Sequence, residues 1–165
     1  MNTTSFKCCG LRRALIYTLV FGLLWVLPAD ADELIMVRVH SAFPETMTTL
    51  QEVIRKQDYT VSRIQRVDVG LTKTGYQTAE YRVVFFGKPR EIKDLPSRYP
   101  ELTTYLPLKI TIFAEQGETL LMALNPILLG DFFPQPELKK TFAVWEKAVR
   151  DIFDRVRTEE EGSAK

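Results

Sequence analysis

The stretch Tyr105-Leu-Pro-Leu-Lys-Ile-Thr-Ile-Phe-Ala-Glu-Gln-Gly-Glu-Thr-Leu-Leu-Met-Ala-Leu-Asn-Pro126 decides the fold. Leu108, Ile110, Ile112 and Ala114 alternate with Lys109, Thr111, Phe113 and Glu115. That period of two marks a strand with one core face. Gln116-Gly117 is short enough to reverse the chain, and glycine adopts positive φ without a steric cost, so Glu118 to Leu124 reads as the returning strand of a β-hairpin. Leu120, Met122 and Leu124 form one face of that return, while Leu121 and Ala123 are read as lying beside Phe113 on the other. Neither face is plainly polar. Phe113 and Leu121 are therefore the first places where a partner or ligand is expected.

Working outward, Ile35, Val37 and Val39 alternate with Met36, Arg38 and His40 in a first strand. Pro44 and Glu45 open a helix over 44–57, with Met47, Leu50, Val53 and Ile54 at helical spacing and Arg55 and Lys56 in its last turn. Tyr59 to Leu71 is predicted as a second strand whose apolar positions change phase, which calls for a bulge. Thr72 to Gly75 is a predicted turn. Glu80 to Phe86 is a third strand, apolar on both faces, ended by Gly87-Lys88-Pro89. Glu91 to Leu102 is a short helix or irregular connection. Leu138, Phe142, Trp145, Val149, Ile152 and Val156 form one apolar stripe on a helix over 137–157. Phe132-Phe133 is expected to plug the core edge beneath that helix. The predicted class is α+β: a mostly antiparallel sheet in the order β-α-β-β-(short α)-β-β-α, with two main helices packed on it.

The 165 residues fit one domain, and 45% hydrophobic with 26% charged residues is ordinary globular composition. Lys7, Arg12 and Arg13 precede the apolar run Ala14 to Leu27, followed by Pro28 and Ala29-Asp30-Ala31. This is the layout of a secretory signal peptide over 1–31, leaving a domain over 32–157 and a flexible tail over 158–165. As a helix, the apolar run would reach about 21 Å against the ~30 Å hydrocarbon core, so no stable membrane span is expected after cleavage. The expected location is periplasmic or secreted. Cys8 and Cys9 precede the apolar run, so the exported chain carries no cysteine and no disulfide or thiol chemistry. Without residues 1–31 the balance is 19 basic against 20 acidic side chains. Such neutrality lacks the footprint of a nucleic-acid binder.

The words Arg82-Val-Val-Phe-Phe-Gly-Lys-Pro89, Leu106-Pro-Leu-Lys-Ile-Thr-Ile-Phe113 and Gly117 to Asn125-Pro126, in that order, resemble the bacterial and archaeal family known as domain of unknown function 302. The resemblance runs from Met36 to Val156. It implies a compact α+β fold, grouped with the sheet-and-two-helix arrangement of TATA-binding protein, and homodimers. It implies no established activity. One branch of the family carries cysteines at the positions of Gly87 and Leu108, so a thiol or metal role of that branch does not carry over here. Lys88 stands where the family commonly has asparagine.

No nucleophile elbow, phosphate-binding glycine loop, dinucleotide fingerprint or calcium loop is present in the sequence. Gly87-Lys88-Pro89 matches a phosphate loop in composition only, because no helix start is read after it. His40 is the only histidine, which leaves no multi-histidine metal site. No metal or cofactor is expected. Arg38 and His40 share a strand face and, with Arg82, are read as an anion-contacting corner; Asp68 and Glu80 are a candidate carboxylate pair. The leading expectation is an exported, non-enzymatic homodimer that binds a small molecule or an envelope protein. The alternative is an extracytoplasmic enzyme using His40 or Asp68 as acid or base, with Arg38 or Arg82.

Overall fold

In the computed structural model, which describes residues 33–163, Gln116 and Gly117 both take positive φ, 53° and 88°. Two such residues in succession make the type I′ reversal that matches the twist of its flanking strands. The turn joins β4 (Leu108–Glu115) to β5 (Glu118–Leu124). Around this hairpin lie β1 (Leu34–Val39), β2 (Thr60–Arg66) and β3 (Tyr81–Gly87). The five strands form one sheet in the order β1-β5-β4-β3-β2, antiparallel at every pairing. The fold is α+β, as the sequence pattern predicts.

Helices α1 (Phe43–Lys56) and α5 (Pro136–Ser163) supply the buried layer over one face. Leu50, Val53 and Ile54 of α1 are buried, as are Leu138, Phe142, Trp145, Val149, Ile152 and Val156 of α5. They share one core with Ile35, Val84, Phe86, Ile110, Ile112 and Leu121 of the sheet. Each side chain of this size buried in full stabilises the fold by about 1.5–3 kcal/mol, so the two helical stripes and the sheet face dominate the energetics.

Three expectations need correction. Residues 67–71 do not extend the second strand: α2 (Val67–Lys73) starts directly after β2. The predicted irregularity is present as a register shift between Val61 and Arg63. Past Arg66, however, the chain turns helical with Asp68 in the first turn, where a carboxylate complements the helix dipole. Second, a helix does follow Gly87-Lys88: α3 (Pro89–Arg98) opens on proline, which fits a first-turn position because its missing N–H has no helical partner there. A 3-10 turn over Pro100–Thr104 completes that connection. Third, α5 runs through Ser163 instead of fraying after 157. Lys56 Nζ contacts Glu159 Oε1 at 3.1 Å and Glu160 is buried, so the last turns are held against α1. The expected signal peptide lies outside the described residues.

The connection after β5 comprises a 3-10 turn over Pro126–Leu128 and the single-turn helix α4 (Leu129–Phe132). Phe133 is buried, edge-on to Tyr105 and Phe142 at 5.8 and 6.0 Å, and acts as the expected plug; Phe132 is exposed. Helix α3 contributes no buried residue of its own. Its clearest tie to the core is Trp145 Nε1, which donates to Glu91 Oε2 at 2.9 Å. Trp145→Phe is expected to cost about 2–3 kcal/mol, from the lost hydrogen bond and from the cavity left in the core by the smaller ring. Amide hydrogen exchange should quicken in α3 while the sheet stays protected; unchanged exchange in α3 would show that the indole does not hold it.

Candidate functional site

The sheet face opposite α1 and α5 carries Met36 of β1, Leu120 and Met122 of β5, Thr111 and Phe113 of β4, and Tyr81, Val83 and Phe85 of β3. This follows from the registers Met36↔Met122, Thr111↔Met122, Phe113↔Leu120 and Tyr81↔Phe113, because cross-strand partners share a face. Met36 is 57% exposed, Leu34 and Leu124 are exposed beside it, and the more central apolar residues are only half-buried. Phe113 packs edge-on against Tyr81 at 6.4 Å. Leu121 does not lie beside Phe113. It pairs with Ile112 and is fully buried under the helices. The two-residue turn fixes this: Glu115 faces Glu118, so each even-numbered leucine of β5 meets an odd-numbered residue of β4.

At the turn end of this face, Arg38 reaches Glu115 Oε2 at 2.6 Å and Glu118 Oε2 at 3.2 Å. His40 Nδ1 hydrogen-bonds Glu118 Oε1. The His40 bond and then the Arg38 bond hold the Glu118 carboxyl below the usual carboxylate range, while Glu115 and Glu118 strengthen the Arg38 guanidinium's hold on its proton. With two carboxylates on one guanidinium, Arg38 offers no spare charge for an anion. Arg82 is not part of this corner, because its register opposite Ile112 places it on the helix-covered face. The His40 side chain is 75% exposed, with Glu118 as its hydrogen-bond partner, and it lines none of the cavities described below.

Arg82 instead pairs with Asp68 of α2, and its guanidinium lies 5.4 Å from the centre of the Phe43 ring. Both charged side chains are largely withdrawn from water, at 12% and 15% exposure. Burial pulls the Asp68 carboxyl upward. Its hydrogen bond with Arg82, the Val69 amide and the charges of Arg82 and Arg66 outweigh this and hold it below its ordinary value. Asp68 and Glu80 line one shallow cavity of about 450 Å³ with Thr72 and Thr78, but the Asp68 partner is the guanidinium, not Glu80. Another depression lies between α1 and β2, lined by Gln51, Arg55 and Ser62.

A further site escaped the sequence reading. The β4–β5 ladder stops at Thr111↔Met122. Yet β4 continues back to Leu108 against β3, and β5 continues to Leu124 against β1. The two central strands thus part, and a cleft of about 250 Å³ opens between them. Leu108, Ala123, Leu129 and Val149 form its apolar floor, and Lys109, Thr111, Met122 and Leu124 lie toward the open face. The signal was present in Leu106-Pro107 and Asn125-Pro126, which flank the parting ends; prolines there withhold N–H donors from any continued ladder.

Residues 35–156 match the family model described as Domain of unknown function DUF302. The crystal structure of an uncharacterized conserved DUF302 protein from Bacillus stearothermophilus is similar in fold, with a TM-score of 0.70 and 23% identity, covering 77% of this chain and 100% of that one. No curated protein matches the chain. The family model spans nearly all of the sheet and both large helices, from Ile35 in β1 to Val156 in α5, and on that match the chain belongs to the DUF302 family.

Proposed function

We propose that the protein is an exported, non-enzymatic binding module that works as a homodimer and holds a small molecule or an envelope protein. The observation that carries the reading is the apolar band of Met36, Leu120, Met122, Phe113, Val83 and Phe85 across a sheet face that no helix among the described residues covers. A contiguous exposed apolar band on a folded domain marks an interaction surface. Its margins carry charges of both signs, Glu115 and Glu118 at one end and Lys109 and Arg63 elsewhere. A second copy related by a twofold axis is the partner that meets such a mixed margin with itself. Export rests on the residue order of 1–31, with its basic start, apolar run and small residues.

The enzyme alternative has less behind it. His40 is bound to Glu118 on the exposed rim, and Asp68 is bound to Arg82. Sedimentation velocity across about 1–100 µM, the range in which dissociable dimers divide, is expected to show a monomer–dimer equilibrium. Monomer throughout would remove the dimer. Intact mass of protein recovered from cells expressing the full gene is expected to begin at Asp32; a start at Met1 would remove export.

A further inference from the structure

We propose that the cleft between β4 and β5 is a binding site for a small apolar carboxylate. The proposal rests on the binding part of the reading above and not on dimerisation. The parted ladder comes first. With Glu115↔Glu118 closing the two-residue turn, antiparallel alternation makes Thr111↔Met122 a bonded pair and Lys109 and Leu124 the next residues in line. The ladder has ended before them, so their main-chain groups point into the cleft. The N–H groups there are donors for an anion, and the carbonyls on the same edges take water at the mouth.

The second observation is charge. Lys109 is exposed at the cleft, no carboxylate lines it, and among the described residues Lys109 makes no ion pair. This differs from Arg38 and Arg82, whose charges are each matched by acids. The third is size. A cleft of about 250 Å³ lies just below the ~300–1,000 Å³ of drug-sized sites, which suits a ligand of the size of a short-chain or single-ring acid. That is a hexanoate or a benzoate, with its chain or ring on Leu108, Ala123, Leu129 and Val149 and its carboxylate beside Lys109.

Isothermal titration and ligand-observed NMR with hexanoate, 1-hexanol and hexylamine test the assignment on the protein purified from cells expressing the full gene. Hexanoate is expected to bind about two- to fivefold more tightly than 1-hexanol, with hexylamine weakest, since one exposed ion pair sets most of the difference. Lys109→Gln should cut most of the preference of hexanoate over 1-hexanol and leave 1-hexanol unchanged. Leu124→Trp should block all three, its melting curve verifying the fold. Hexylamine binding as well as hexanoate, a selectivity unmoved by Lys109→Gln, or no binding up to about 10 mM would each overturn the proposal. Sedimentation of the same sample separates the two readings. A dimer that binds none of the probes removes the cleft alone, whereas a monomer with the expected selectivity keeps the cleft and removes the dimer.

Discussion

Arg82→Ala is expected to lower the unfolding free energy by about 2–4 kcal/mol, slightly under the ~3–5 kcal/mol of a fully buried broken pair, because both charges keep some contact with water. The loss has two parts. The guanidinium leaves the Phe43 ring, and the Asp68 carboxylate stays behind in a largely dehydrated place. Helix α2 has no buried residue, so Asp68 is also what fastens it to the sheet. The sign of the pH dependence follows from the lowered Asp68 pKa. The pair's contribution is complete above the ordinary value of 3.8 and is lost as pH falls through the lower folded value. The gap between wild type and Arg82→Ala should therefore narrow toward acid. Urea unfolding followed by fluorescence of the buried Trp145 reads both effects. A gap that stays constant from neutral pH down to about pH 2.5 would show that Asp68 is not the partner that matters. Replacing both residues, Arg82→Met with Asp68→Leu, should recover most of the loss, since an apolar pair leaves no charge stranded.

The proposed homodimer predicts that Phe113→Lys weakens self-association about a hundredfold while leaving the monomer folded. Phe113 lies on β4, the middle strand of the open face, between Tyr81 and Leu120. A twofold interface on this face would take the new ammonium out of water twice, once in each copy. Its aliphatic stem still covers Tyr81 within the monomer, so the melting temperature should move little. The measurement is sedimentation velocity against wild type at matched concentrations. A dimer constant within threefold of wild type would place the contact somewhere other than this face, and a large fall in melting temperature would show that Phe113 serves the monomer instead.

The hairpin, α1 and the stripe of α5 were legible in the sequence because each buries one face, and burial of one face writes its period into the residue order. Helix α2 was not legible for the complementary reason. None of its residues is buried, so Val67 and Val69 carry no helical period and read as a continued strand. Its tie to the sheet is the Arg82 partner of Asp68, a contact that spans the turn into β3. Helix α3 holds Pro89 and Pro96 and likewise has no fully buried residue. Of the candidate site residues, Arg38 and His40 do come together, through Glu118, which the sequence reading had not singled out. Arg82 and Asp68 form a separate pair on the other face. Strand alternation alone does not tell which residues of β5 face Phe113; the two-residue turn sets Leu120 opposite it and Leu121 opposite Ile112. The β4–β5 cleft was illegible because it depends on where pairing stops, and strand periodicity says nothing about that.

The register shift at Val61/Arg63 also bears on how copies of this chain can add to one another. A sheet that grows without limit needs two usable edges, one to give and one to receive. Here the edges are β1 and β2. The β2 edge is distorted by the shift and carries Arg63 and Arg66, both exposed, so an incoming strand meets a bent backbone and positive charge. Strand addition through β1 alone ends with two molecules, edge to edge, and has nowhere further to go. One irregular strand thus gives the chain a terminus in the polymer sense, a protection that matters for a domain with an apolar sheet face and no disulfide to lock its fold.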